Sequence, residues 1–69
     1  MLEKFEVGSY YKTYLVIMPG VIYFKVLKKF PKPFTYRIVY NDGKEDTVDC
    51  RYSKAHRISK LEGLMKVGQ

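Results

Sequence analysis

The sequence predicts an all-β domain, a single small antiparallel barrel of about five short strands with a short helical turn before the last one. Three observations predict it. Val21 to Lys29 alternates with period two, placing Ile22, Phe24 and Val26 on one side and Val21, Tyr23, Lys25 and Leu27 on the other. Asp42-Gly43 stands between two further alternating runs, the strongest short-range hairpin signal. The chain of 69 residues, with 46% hydrophobic and 16% aromatic residues, has room for one thin core and no second domain.

Taken in order, Phe5 to Ile17 is rich in aromatic and β-branched residues and lacks a helical cap, so it reads as strand with a break near Gly8. Pro19-Gly20 marks a turn into the Val21–Lys29 strand. Phe30-Pro31-Lys32-Pro33 stops that strand, because proline lacks a ladder donor and restricts the residue before it. Phe34 to Tyr40 puts Phe34, Tyr36, Ile38 and Tyr40 on one face and leaves Val39 on the other, and Glu45 to Tyr52 returns with Val48, Cys50 and Tyr52 aligned.

The tail admits two readings. Ser53 could cap a helix carrying Ala55, Ile58, Leu61 and Met65 on one stripe, with Gly63 costing about 1 kcal/mol against alanine. Alternatively Ser53 to His56 is a turn and Arg57 to Leu61 a closing strand, which removes an open edge and is the reading preferred here. The domain core then spans about residues 5–62, and Gly63 to Gln69 frays.

Composition bounds the function. The longest apolar stretch, Tyr14 to Phe24, is interrupted by Pro19 and Gly20 and is too short for a bilayer, and the acidic Met1 to Glu6 segment is unlike a secretory signal, so a cytoplasmic protein is expected. One cysteine, Cys50, and one histidine, His56, supply neither a disulfide nor a zinc site, and Cys50 reads as a small core residue. No phosphate loop, nucleophile elbow or metal motif occurs; neither an enzyme nor a cofactor is expected. The formal charge of +6, from 13 basic and 7 acidic residues, points to an anionic partner.

The stretch Pro19-Gly20-Val21-Ile22-Tyr23-Phe24-Lys25-Val26-Leu27-Lys28-Lys29, followed by Tyr36-Arg37-Ile38-Val39-Tyr40-Asn41-Asp42-Gly43 and Glu45-Asp46-Thr47-Val48, resembles the SH3-like small barrels of the Tudor and chromatin-reader kind. The resemblance covers roughly Val7 to Leu61 and implies an aromatic cage falling partly on Tyr23 and Tyr40, with Asp42 as its acidic partner. The position at which many such cages carry Trp holds Ile17. Arg51-Tyr52-Ser53-Lys54-Ala55-His56-Arg57-Ile58-Ser59-Lys60, with Tyr10-Tyr11-Lys12, also resembles the carboxy-terminal DNA-binding domain of retroviral integrases, which implies a basic barrel surface that binds nucleic acid.

The basic residues fall in two groups, Lys25, Lys28, Lys29, Lys32 and Arg37, then Arg51, Lys54, Arg57 and Lys60, with Asp42, Glu45, Asp46 and Asp49 between them. Such segregation suits a surface that tracks phosphates, and Lys25, Lys28, Lys29, Arg37, Arg51, Lys54, Arg57 and Lys60 are the candidate contacts. The plainer alternative is that lysines merely solvate a small protein. Of the seven tyrosines, Tyr10, Tyr11, Tyr23 and Tyr36 are candidates for stacking on bases, whereas Tyr36, Tyr40 and Tyr52 are equally in phase with the core, the reading preferred for those three. His56 reads as a surface residue.

The expected function is therefore low-specificity nucleic-acid binding, duplex DNA before RNA, through phosphate contacts. The competing expectation is a Tudor-like interaction module, such as a viral or phage accessory factor acting on host machinery, that docks an acidic partner protein on Val21, Tyr23, Leu27 and Val39.

Overall fold

The computed structural model describes residues 5–14, 20–52 and 54–68. Ile17, the Pro19 half of the Pro19-Gly20 turn and the Ser53 cap or turn lie outside the described residues, as does the Tyr52 side chain. Five antiparallel strands form one sheet in the order β4-β3-β2-β1-β5: β1 Tyr10–Tyr14, β2 Val21–Lys29, β3 Thr35–Tyr40, β4 Glu45–Asp49 and β5 Ala55–Ile58. A 3₁₀ turn, Cys50–Tyr52, separates β4 from β5, and a helix, α1, runs from Lys60 to Val67.

Strand β2 matches the expected bounds residue for residue, and its alternation sets two apolar faces. Phe24 lies opposite both Tyr11 and Tyr40, so these side chains share the inner face, with Val26 opposite Ile38. There Phe5, Tyr11, Phe24, Val26, Tyr36, Ile38 and Cys50 form the main core. Its rings interlock: Phe5 lies 4.8 Å from Tyr11, 5.6 Å from Phe24 and 5.4 Å from Tyr36, centroid to centroid. Tyr11 and Phe24 stack at 5.7 Å. The Tyr11 hydroxyl leaves this core by accepting the Glu6 N–H at 2.9 Å, so its polar end is satisfied.

On the outer face Lys25 stands between Tyr10 and Val39. Tyr10, Val39, Ile58 and Val67 make a second buried cluster, with Tyr23 and Leu27 packed against it. Helix α1 provides its lid. Ser59 caps the helix, its hydroxyl accepting the Glu62 N–H at 3.1 Å, and the Gly68 N–H donates to the Leu64 carbonyl at 3.1 Å.

Four sequence expectations change. The first strand starts later: Phe5 to Ser9 is irregular, with Gly8 at φ 89° and Gly8 and Ser9 bonding Val26 outside the regular ladder, so β1 begins at Tyr10, and residues 15–17 of the expected strand lie outside the described residues. Phe34 belongs to the β2–β3 loop because its φ of 62° is incompatible with a strand, so β3 begins at Thr35. Such a conformation costs a non-glycine residue about 1–3 kcal/mol; here Phe34 packs on the main core and its carbonyl accepts the Cys50 N–H at 2.9 Å. Strand β4 ends at Asp49, because Cys50 turns inward as the 3₁₀ turn begins.

The tail is neither all helix nor a strand with a frayed end. Ala55–Ile58 pairs with β1, and α1 follows at once. Gly63, which argued against a helix from sequence alone, is what lets the helix dock: a Cβ at that position would lie 2.0 Å from Tyr10 Cγ. Gly63→Ala is therefore expected to destabilise the fold by about 1–3 kcal/mol through overpacking, despite alanine's better helix propensity. Urea unfolding of the variant checks this; a midpoint at or above that of the parent protein would show that α1 does not press on Tyr10.

Candidate nucleic-acid interface

Two strand ends position the largest group of cations. Strand β2 closes with Lys28 and Lys29, and the register shift between Val26 and Lys28 sets Lys28 opposite Arg37 of β3 and Lys29 opposite Tyr36. The loop between them is tied back by the Phe30 N–H to the Thr35 carbonyl at 3.0 Å and the Thr35 N–H to the Lys32 carbonyl at 3.3 Å. Lys29 Nζ donates to the carbonyls of Phe30, at 2.8 Å, and Lys32, at 3.1 Å, and sits 5.3 Å from the Tyr36 ring centre. Lys28 Nζ is 5.0 Å from the Phe30 ring centre. Thr35 pairs with Asp49, so the 3₁₀ turn delivers Arg51 to the same end, its guanidinium 4.5 Å from the centre of Phe34. Lys28, Lys29, Arg37 and Arg51 thus lie at one end of the sheet, with Lys32 in the loop there, but Lys28 and Arg37 share the outer face while Lys29 and Arg51 lie over the inner-face rings Tyr36 and Phe34.

The other candidates are spread out. Lys25 is half-buried on the outer face, its Nζ 5.5 Å from the Tyr10 ring centre. Arg57 and Lys60 line a small cleft with Gly8, Ser9, Tyr10 and Ile58 where β5 meets α1. Lys54 is exposed ahead of β5, its carbonyl accepting the Thr13 hydroxyl at 3.1 Å.

Charge is divided by residue type. Every arginine of the chain meets a carboxylate: Arg37 Nε lies 2.6 Å from Glu45, Arg51 Nη2 2.7 Å from Asp49, and Arg57 Nη1 2.6 Å from Glu6. Among the described residues no lysine is within ion-pair distance of a carboxylate. The arginine pairs are open to solvent, which screens them and leaves each a small part in stability. Asp49 receives both the Arg51 guanidinium and its backbone N–H, which hold its carboxyl below the usual carboxylate range. The surplus positive charge is thus carried by ammonium groups.

The aromatic cage does not assemble. Tyr11 is buried in the main core, Tyr40 shares that inner face with Phe24, and Tyr23 points to the opposite face with the second cluster. The Tyr40 hydroxyl donates to Asp46 at 3.1 Å, and Asp42 accepts the Lys44 N–H at 2.9 Å within the hairpin turn. Tyr10 and Tyr36 are buried as well, which leaves Tyr23, half-buried, with Lys66 Nζ 5.5 Å from its ring centre. Lys12, whose cross-strand partner is Tyr23 and which sequence reasoning took up only within the Tyr10-Tyr11-Lys12 resemblance, and Lys66 are two cations outside the candidate contacts. The first is readable from strand alternation; the second only once α1 is known.

The apolar docking patch is also corrected. Val39 is 2% exposed, and Tyr23 and Leu27 pack into the cluster beneath α1. Val21 alone of that set is an exposed hydrophobe. His56 is exposed and Cys50 buried, as the sequence implies.

Two tyrosines titrate late. Burial, then the charges of Cys50 and Tyr11, push the Tyr36 hydroxyl up; burial, then the hydrogen bond to Asp46, do the same for Tyr40. A tyrosine that holds its proton more tightly when folded contributes stability that is fully present below its unfolded value, about 10, and is lost as pH rises through the folded value. The urea midpoint is therefore expected to fall above about pH 10, and Tyr40→Phe to reduce that fall. A midpoint insensitive to pH in that window would refute the assignment. No described helix is long and apolar enough to cross a membrane, and no described group of His, Cys, Asp or Glu is suited to hold a metal. Compared with protein-family models, curated proteins and solved structures, this chain matches none.

Proposed function

We propose that this protein is an SH3-like, Tudor-like barrel that binds nucleic acid, duplex DNA foremost, with low sequence specificity and through phosphate contacts. The observation that carries the reading is the division of charge: arginines are held by carboxylates, whereas the described lysines meet none and lie beside solvent, aromatic rings or, for Lys29, two loop carbonyls that leave its charge unneutralised. Arginine's planar fork is the commonest reader of guanine edges, whereas lysine acts on phosphate as a point charge. A surface whose available cations are ammonium groups favours the backbone over the bases. The strand order, with β5 returned beside β1 by a 3₁₀ turn, agrees with the small-barrel reading.

Lys28 and Lys29 are the centre of the surface, with Lys32, Arg37 and Arg51 beside them, and Lys25, Lys54, Arg57 and Lys60 extend it. Arg37, Arg51 and Arg57, each held by a carboxylate, border this lysine surface. The acidic residues at the β3–β4 turn, Asp42, Glu45 and Asp46, with Tyr40 and Ile22, line a separate groove of about 430 Å³ and would orient the domain by repulsion.

Fluorescence anisotropy with labelled duplex DNA, single-stranded DNA and RNA across a salt series tests this. Binding is expected to fall steeply with salt, and duplex to be preferred. Lys28→Glu with Lys29→Glu is expected to weaken binding by more than about tenfold and to flatten the log–log salt slope by about 2, near 0.9 per lost phosphate contact. An unchanged slope would remove these lysines from the interface, and no binding at low salt would remove the function.

A further inference from the structure

Helix α1 spends its inward side, Gly63 and Val67, on covering the sheet, yet Leu61, Leu64 and Met65 remain 72%, 44% and 75% exposed. Spaced i, i+3 and i+4, they form one row along the helix. Three large apolar side chains in one row on an eight-residue helix are a contiguous patch and not the scattered exposure usual for a surface. Beside the row, one turn apart on a single flank, stand Glu62, half-buried, and Lys66, exposed and 5.5 Å from the Tyr23 ring centre, of opposite charge.

We infer that this row is the seat of a homodimer in which α1 of a second copy lies antiparallel against it. A two-fold axis passing beside Leu64 sets each residue ahead of it against the one equally far behind. Leu64 then meets Leu64 of the second copy, while Leu61 and Met65 flank that contact. Glu62 faces Lys66 of the second copy, and Lys66 faces its Glu62. This self-complementary pattern is what an isologous contact requires.

Other occupants fit less well. A uniformly acidic protein segment would set carboxylates against Glu62, and a nucleic acid would leave the row in water. The net charge of +6 opposes association, but the flank itself is neutral, so the repulsion is long-range and screened by salt. An eight-residue helix extends about 12 Å, which places the contact at the small, transient end of interfaces. The inference stands apart from nucleic-acid binding, since its apolar row carries no cation and Lys28 and Lys29, the centre of the proposed phosphate surface, take no part in it.

Sedimentation velocity on the full chain, from about ten micromolar to about a millimolar, tests it. A concentration-dependent dimer is expected. Leu61→Gln with Met65→Gln, a change neutral in charge and helix propensity at two exposed positions, should leave a folded monomer throughout. Glu62→Lys and Lys66→Glu should each weaken self-association by at least about threefold, and an equimolar mixture of the two should recover to within about twofold of the parent, because each copy then supplies the charge the other lacks. The same proteins are compared alone and mixed, so an effect on folding cannot imitate the recovery. A monomer over the whole range, a dimer indifferent to the glutamine pair, or a mixture no tighter than its components would each overturn the proposal.

Discussion

Strand β2 is apolar on both faces, and the remainder of the fold answers the need to cover both. Phe24 and Val26 point inward, where they meet Tyr11, Tyr36, Ile38 and the Phe5 ring. Tyr23 and Leu27 point outward, where nothing in a simple strand meander would shield them. At about 1.5–3 kcal/mol for each large apolar side chain removed from water, neither face can be left wet in a protein of marginal stability. Helix α1 is the consequence: it closes the outer face with Val67 and rests on Tyr10 through Gly63.

The same helix bears on both functional surfaces. By covering Val39 and Leu27 it removes the apolar patch a docking module would have used, and it carries its own exposed row in exchange. The cations, meanwhile, are sorted by chemistry. Guanidinium groups find carboxylates across a strand pair, as Arg37 does with Glu45, or within a turn, as Arg51 does with Asp49. Ammonium groups lie against rings: Lys28 on Phe30, Lys29 on Tyr36, Lys66 on Tyr23. A ring carries no net charge, so such a contact leaves the ammonium charge unneutralised, as do the two carbonyls that Lys29 also meets.

What was legible in the sequence is what local rules decide. Period-two alternation set β2, β3 and the inward direction of Phe24, Val26, Tyr36 and Ile38, and Asp42-Gly43 set the hairpin through a glycine at φ 87°. What was not legible depends on contacts distant in the chain. Gly63 looks like a helix breaker until Tyr10 is known to lie beneath it. Val39 looks exposed in an alternating strand until a helix covers the other side. Phe34 continues the alternation in sequence, but its positive φ and the hydrogen bond its carbonyl accepts from Cys50 belong to the loop closure. For the candidate site, the grouping of cations was readable as clustering along the chain. The neutralisation of every arginine was not, because Glu6 meets Arg57 only across the folded sheet.

The contact between Gly63 and Tyr10 also constrains how this protein can change over evolutionary time. The two residues share one volume, so the ring can persist only while position 63 carries no side chain, and a larger residue there requires a smaller one at position 10. Neither exchange is neutral alone: trimming Tyr10 first opens a void beneath the helix, and enlarging Gly63 first forces the helix off the sheet. The pair is a two-locus barrier in sequence space, inherited together or replaced together. It ties the first strand to the last helix more strictly than any hydrogen bond between them would.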